Sequence, residues 1–167
     1  RVFQTPTVIY VISTYLGEFA RSMGYRGKIE VIPNGVEIKK FQNKIQPLRD
    51  KIQNKNKIIL ITTSRLVQKN AIGDVIRALK FLPDTVIFQI LGMGPEKENL
   101  QLLTHNLKLE NRVEFLVNVG HDDIPKYLHT ADIFVRPSLS EGMGNSFIEA
   151  MAAGLPIVGT PIGGIPD

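Results

Sequence analysis

The 167-residue chain contains no cysteine, which rules out disulfide frameworks and thiolate metal sites and fits a reducing compartment. Nowhere does an apolar run approach the roughly 20 residues a membrane-spanning helix needs. The first residues, RVFQTPTVIYVIS, carry a single basic residue and no small-residue cleavage site, which makes a poor secretion leader. A cytoplasmic protein is the expectation. Glycine loops occur, yet none completes Gly-x-Gly-x-x-Gly. After Gly142 and Gly144 the third position holds Phe147, and the next strand ends at Gly159-Thr160 without an acid for a ribose. No Gly-x-x-x-x-Gly-Lys-Ser/Thr loop and no Asp-x-Asp pair is present. Nicotinamide and flavin dehydrogenases and P-loop proteins are therefore disfavoured. The histidines, His105, His121 and His129, have no partner at metal-ligand or triad spacing, so neither role is expected of them.

What is present suffices for one ordinary core and part of a second, with 43% hydrophobic and 22% charged residues. The net charge of +4 is unevenly placed. Lys39, Lys40, Lys44, Arg49, Lys51, Lys55 and Lys57 share one stretch with a single acid, Asp50. Such a run suits phosphates or anionic head groups. With Phe41 as its one aromatic it lacks the stacking platform of a single-stranded nucleic-acid binder, and no nucleic-acid partner is expected.

From Ile58 onward two periods alternate. The apolar, β-branched run at 58–63 reads as a strand buried on both faces, and 85–91, 113–116, 132–137 and 156–160 read as four further strands. Between them, 71–82, 95–109, 122–130 and 146–153 read as helices. Pro95 stands early in the second helix, Asp122 or Asp123 can cap the third, and Gly154 ends the fourth. This is the pattern of a doubly wound, Rossmann-like parallel α/β sheet. Residues 1–36 give one strand–helix–strand unit and a Pro-Asn-Gly turn, expected to be the end of a preceding domain. Residues 37–57 are the basic linker, and 58–167 the second domain. The chain is expected to be a fragment, truncated at its C-terminus.

Ligands of such sheets bind beyond the carboxyl ends of the strands, where strand order reverses. With order 3-2-1-4-5 among the five strands, the loops 64–70 (SRLVQKN) and 138–146 (SLSEGMGNS) face each other. The first offers Arg65 and Lys69. The second offers Glu141, two glycines and a helix start. Helix N-termini favour phosphate, Arg pairs with phosphate oxygens in bidentate fashion, and Lys adds a mobile charge. The loop LGMGP, with Gly92, lies on the same rim. Plainer readings stand beside these. Ser146-x-x-Glu149 is a capping box in its own right, Glu141 alone is an ordinary loop acid, and exposed Arg65 and Lys69 could pair with surface acids for little energy.

The segments PNGV (33–36), SRLVQKN (64–70), LGMGP (91–95) and 131–167 resemble, in order and spacing, the retaining glycosyltransferases of family 4, which have the GT-B fold. The likeness covers nearly the whole chain from about Val8, and its centre is the Glu-x7-Glu element from Glu141 to Glu149. It implies a C-terminal, donor-binding domain preceded by the last unit of an N-terminal acceptor domain. By resemblance, Arg65 and Lys69 neutralise the diphosphate of a nucleotide-sugar donor such as a UDP or GDP sugar, with the base among UDP, GDP and ADP left open. Glu149 binds the ribose hydroxyls. Glu141 and the backbone of Gly142, Met143, Gly144 and Asn145 face the transferred sugar, and amides at Asn145 and Ser146 meet the phosphate. The loop from Val117 to Val119 touches the base. The family has glycine where this chain has Asn70 and Val117, which bears on loop geometry and base choice.

The resemblance implies a hexosyltransferase that works with retention, without a metal or other cofactor, in polysaccharide or glycolipid synthesis. Its partners would be the nucleotide sugar and a carbohydrate or lipid-linked acceptor, with peripheral membrane association at the inner face of the cell membrane. The isolated fragment would be inactive. The alternatives are a nucleotide-sugar binding module without catalysis, or an epimerase or phosphorylase on the same architecture.

Overall fold

A computed structural model describes residues 6–42, 56–117 and 119–167. Of the basic run, Lys44, Arg49, Asp50, Lys51 and Lys55 lie outside the described residues, as does Asn118 within the 117–119 loop.

Seven strands fall into two parallel sheets. β1 (Val8–Val11) pairs β2 (Lys28–Val31) around helix α1 (Thr14–Ser22). The larger sheet holds β3 (Ile58–Thr63), β4 (Val86–Leu91), β5 (Val113–Leu116), β6 (Ile133–Arg136) and β7 (Ile157–Gly159), in the order β5-β4-β3-β6-β7. This is the order 3-2-1-4-5 that the alternation of strands and helices suggested, and every neighbouring pair is parallel.

The helices follow from the apolar spacing. α2 (Ile38–Gln42) is short. α3 (Ile72–Ala78) tightens into a 3-10 turn at Leu79–Phe81 before Pro83. α4 is Lys97–Asn106, α5 is Ile124–Leu128 and α6 is Asn145–Ala152.

Side chains alternate across a strand, so β3 feeds two cores. Leu60 packs with Phe88, Ile90, Ile72 and Ile76 on the face covered by α3 and α4. Ile59 and Ile61 pack with Leu128, Phe134, Phe147 and Ala150 on the face covered by α5 and α6. All six residues of β4 are buried, as a strand covered on both faces requires. Phe41 of α2 is also buried in the second cluster, so the start of the basic segment is packed onto the sheet domain.

The β1–α1–β2 unit sits against the loop that precedes α6. Ser13 caps α1 through the amide of Leu16 at 3.3 Å, and the carboxylate of Asp167 accepts from the Thr14 amide and hydroxyl at 2.5 Å each. A carboxylate at that end also complements the helix dipole. Asn34 Nδ2 donates to Asn145 Oδ1 at 2.7 Å, and a side chain at Gly142 would lie 3.5 Å from both Ile12 and Leu16.

Two capping expectations fail. Gly144 stands at the N-cap of α6 with φ 80, and no side chain caps that helix. Nor does Asp122 or Asp123 cap the third helix. Asp122 accepts from Lys40 of α2 at 2.5 Å, and Asp123 pairs with Lys126. In both places a cation within reach outbids a backbone amide, since charge-assisted bonds are the stronger ones.

Candidate functional site

The sheet order reverses between β3 and β6, and a crevice opens beyond the carboxyl ends of both strands. It has two connected parts. One, of about 510 Å³, is walled by the end of β3 (Thr63, Ser64), Gly92 after β4, Val119 and His121 after β5, and Glu149 on α6. The other, of about 600 Å³, is walled by Lys69, Asn70, Glu141 and Gly144. Arg65, Arg136 and Asn145 line both.

The loops after β3 and β6 do face each other and touch. Leu139 donates its amide to the Lys69 carbonyl at 2.7 Å. Lys69 Nζ lies 3.8 Å from Glu141 Oε2 and 3.5 Å from the Ser140 carbonyl. Arg65 is exposed and lines both parts. Asn70, where a glycine was expected, is buried, and its amide donates to the Arg65 carbonyl at 2.7 Å, bracing the turn that carries both cations.

The glycines after β4 have a packing reason. Ser64 and Leu66 donate to the Leu91 and Met93 carbonyls at 3.0 and 2.8 Å, so the two loops lie flat on one another. A β-carbon at Gly92 would fall 1.8 Å from the Ser64 carbonyl oxygen.

Several expected site residues converge here and others do not. Arg65, Lys69, Glu141, Gly144, Asn145, Ser146, Glu149, Gly92 and Val119 all reach the crevice wall. Met143 is buried and Gly142 backs onto the N-terminal unit. Val117 is exposed and lines neither part of the crevice.

Two residues were overlooked. Arg136, the last residue of β6, is buried at 5% exposure. Its Nη2 meets Glu141 Oε2 at 2.7 Å, Nη1 donates to Ser146 Oγ at 2.7 Å, and Nε donates to Ser138 Oγ at 3.1 Å. The guanidinium carbon stands 4.5 Å over the Phe147 ring. Only glycine fits at 144, where a β-carbon would approach Nη2 to 2.5 Å. Burial lowers the Arg136 pKa and Glu141 opposes that shift, so the group stays a cation at neutral pH. A charge closing an otherwise apolar strand, FVR, was the readable signal.

His121 is the second. Its Nε2 lies 3.0 Å from Glu149 Oε1, and its Nδ1 lies 3.4 Å from Lys40 Nζ. Because lysine can only donate, Nδ1 accepts and Nε2–H donates to the carboxylate. His121 thus pairs with a carboxylate 28 residues away in sequence. Glu149 spends one oxygen on it rather than on a capping box, and its side chain is 9% exposed.

Comparison with known proteins adds to this geometry. Residues 44–167 match the sequence model of the glycosyl transferases group 1. Over 143 residues the chain is 31% identical to alpha-monoglucosyldiacylglycerol synthase of Acholeplasma laidlawii, covering 79% of this chain and 36% of that protein. It is 29% identical to the GDP-mannose-dependent alpha-(1-6)-phosphatidylinositol monomannoside mannosyltransferase of Mycobacterium tuberculosis, covering 98% of this chain and 46% of that protein. The chain thus spans less than half the length of both relatives. Among solved structures, Anabaena Alr3699/HepE in complex with UDP and glucose superposes with a TM-score of 0.86 at 26% identity, over 98% of this chain and 46% of that one.

Proposed function

Because the chain belongs to the glycosyl transferases group 1, we propose that it supplies the donor-binding half of an enzyme that moves a hexosyl unit from a nucleotide-diphosphate sugar to an acceptor, with retention of anomeric configuration. The observation that carries this is the crevice where Arg65 and Lys69 face Glu141 and the α6 N-terminus across the reversal in strand order. The α/β architecture and parallel sheet are those of the GT-B transferases it resembles. In this reading residues 1–36 end the acceptor domain, 37–57 link, and 58–167 hold the donor.

The part walled by Glu149 and His121 takes the nucleoside. Glu149 has one oxygen committed to His121, leaving the other for a ribose hydroxyl. The part walled by Lys69 and Glu141 takes the diphosphate and sugar. Departure of the diphosphate breaks the bond from the anomeric carbon, placing negative charge on the leaving oxygen and positive charge on the ring. Arg65, Lys69 and the helix N-terminus stabilise the first, and being preorganised they do so with little reorientation. The acceptor hydroxyl adds on the face the diphosphate leaves, and its proton passes to the departing phosphate oxygen. With that counter-charge supplied by side chains, transfer is expected without a metal.

By name, one relative is a synthase of monoglucosyldiacylglycerol and the other a phosphatidylinositol monomannoside mannosyltransferase, which supports a lipid-linked acceptor and association with a membrane surface. No helix among the described residues is long and apolar enough to cross one.

Thermal stabilisation of the full-length protein by UDP-, GDP- and ADP-sugars tests the reading. A ligand at 100 times its Kd adds about 2.7 kcal/mol, so one base should stand out. Stabilisation by none of them, with turnover of a sugar phosphate instead, would make the protein a phosphorylase. Tight binding without transfer to any acceptor would leave a binding module.

Glu149→Ala is expected to weaken nucleotide affinity about tenfold or more, the scale of a hydrogen bond to a charged group. Ser146→Ala should cost less than about threefold, since its hydroxyl serves Arg136. Calorimetric titration of both variants measures the difference. Equal losses that follow Tm would make Glu149 only a structural partner of His121.

A further inference from the structure

Glu141 poses a problem of charge. A carboxylate in the same part of the crevice as the two cations meant for a diphosphate adds repulsion where attraction is needed, and it competes for the nearer one, Lys69. The structure gives it three neighbours of unequal kind. Its Oε1 accepts the Gly142 amide at 3.0 Å. Its Oε2 takes Arg136 at 2.7 Å and has Lys69 only at 3.8 Å. The Arg136 side chain is 6% exposed and that of Lys69 53%.

We propose that Arg136 is the buried counter-ion of Glu141, and that by holding this acid it leaves Lys69 free for an anionic ligand in the crevice. This rests on the nucleotide-sugar reading above. Arg136 is thus a positioning residue, acting through Glu141 and Lys69. Three of its five N–H donors are engaged, one each by Glu141, Ser146 and Ser138, and the Phe147 face and the bare Gly144 backbone fix its plane. Such a pair is held together by geometry, and removing one partner strands the other charge. Without Arg136, Lys69 is the one cation already beside Glu141, and it would close onto the carboxylate and be lost to the ligand.

The experiment compares a charged ligand with an uncharged one in the full-length protein. UDP and GDP, with uridine and guanosine as their neutral counterparts, are titrated into wild type, Arg136→Met, Arg136→Lys, Glu141→Gln and the double variant Arg136→Met/Glu141→Gln. Ligand-observed NMR serves for the weaker nucleosides. Arg136→Met should lose about tenfold or more in diphosphate affinity while nucleoside affinity stays within about twofold, because only the diphosphate senses the freed charge. Adding Glu141→Gln should bring diphosphate affinity back to within about threefold of Glu141→Gln alone. Arg136→Lys keeps the charge beside Glu141 but not the planar fork, so it should lose less diphosphate affinity than Arg136→Met.

Equal loss of nucleotide and nucleoside that follows Tm would overturn the proposal, as would failure of Glu141→Gln to restore binding. If Arg136→Met does not fold, Arg136→Lys carries the test, and a tenfold loss of diphosphate affinity in folded Arg136→Lys that added Glu141→Gln does not restore overturns it. A wild type that binds none of the nucleotides would defeat the nucleotide-sugar reading itself, and this inference with it.

Discussion

Replacing Arg65 and Lys69 together with alanine is expected to lower kcat/KM for the nucleotide sugar by on the order of 10³-fold or more, with Tm moving by less than about 2 °C. The two residues are exposed, and among the described residues their one ion pair, Lys69 to Glu141, is long at 3.8 Å. Exposed pairs of this kind contribute little to stability. Their value lies in where they point, into a part of the crevice that ends on the α6 N-terminus. Removing one preorganised donor from a site of developing negative charge costs about 10²–10³ in rate. Two cations on one leaving group act as a unit, so the double variant should fall short of the product of the singles. Steady-state kinetics with the donor varied, paired with a thermal melt, reads both quantities. A double variant that keeps its activity would remove the diphosphate from this part of the crevice.

Gly92→Ala should cost about 3 kcal/mol or more of stability, a size reserved for backbone clashes and broken cores. For a chain of this size that corresponds to a fall in Tm of roughly 10 °C. The added carbon would sit 1.8 Å from the Ser64 carbonyl oxygen, and a backbone zipped by two cross-loop hydrogen bonds has no room to retreat. Gly35→Ala is the control, since nothing lies within 4 Å of a β-carbon there. Urea unfolding gives the answer as a lower midpoint with unchanged slope. If Gly92→Ala instead keeps its midpoint and loses donor affinity, the glycine serves ligand approach at the rim, and the packing account is wrong.

Much of the frame was legible because it rests on short-range signals. The runs IILITT and VIFQIL are uncharged and dominated by apolar, largely β-branched residues, the pattern of strands covered on both faces. Strand order then put loops 64–70 and 138–146 opposite one another, and that juxtaposition is what the crevice shows. The errors arose where a side chain had two suitors. Ser146 and Glu149 have capping-box spacing, yet Arg136 from ten residues upstream takes the hydroxyl and His121 from 28 residues upstream takes the carboxylate. Asp122 has N-cap chemistry and pairs with Lys40, 82 residues away. Local rules rank local partners; they are blind to a cation that only the folded sheet delivers. Phe41 illustrates the same limit, since its neighbours in sequence are lysines and its neighbours in space are a core.

The segment from Glu141 to Asn145 is held from two sides. One side meets Arg136 and Lys69; the other bears on Ile12, Leu16 and Asn34 of the N-terminal unit, where Asp167 ties down the first turn of α1. A single short stretch of chain is therefore both a wall of the crevice and a bearing on which the neighbouring unit rests. Reciprocity then fixes a quantitative rule: if an occupant of the crevice shifts the tilt of that unit by some factor, anything that sets the tilt alters the occupant's affinity by the same factor. Substitutions at Ile12 or Leu16, remote from any charge, are thus a way to retune the crevice from behind.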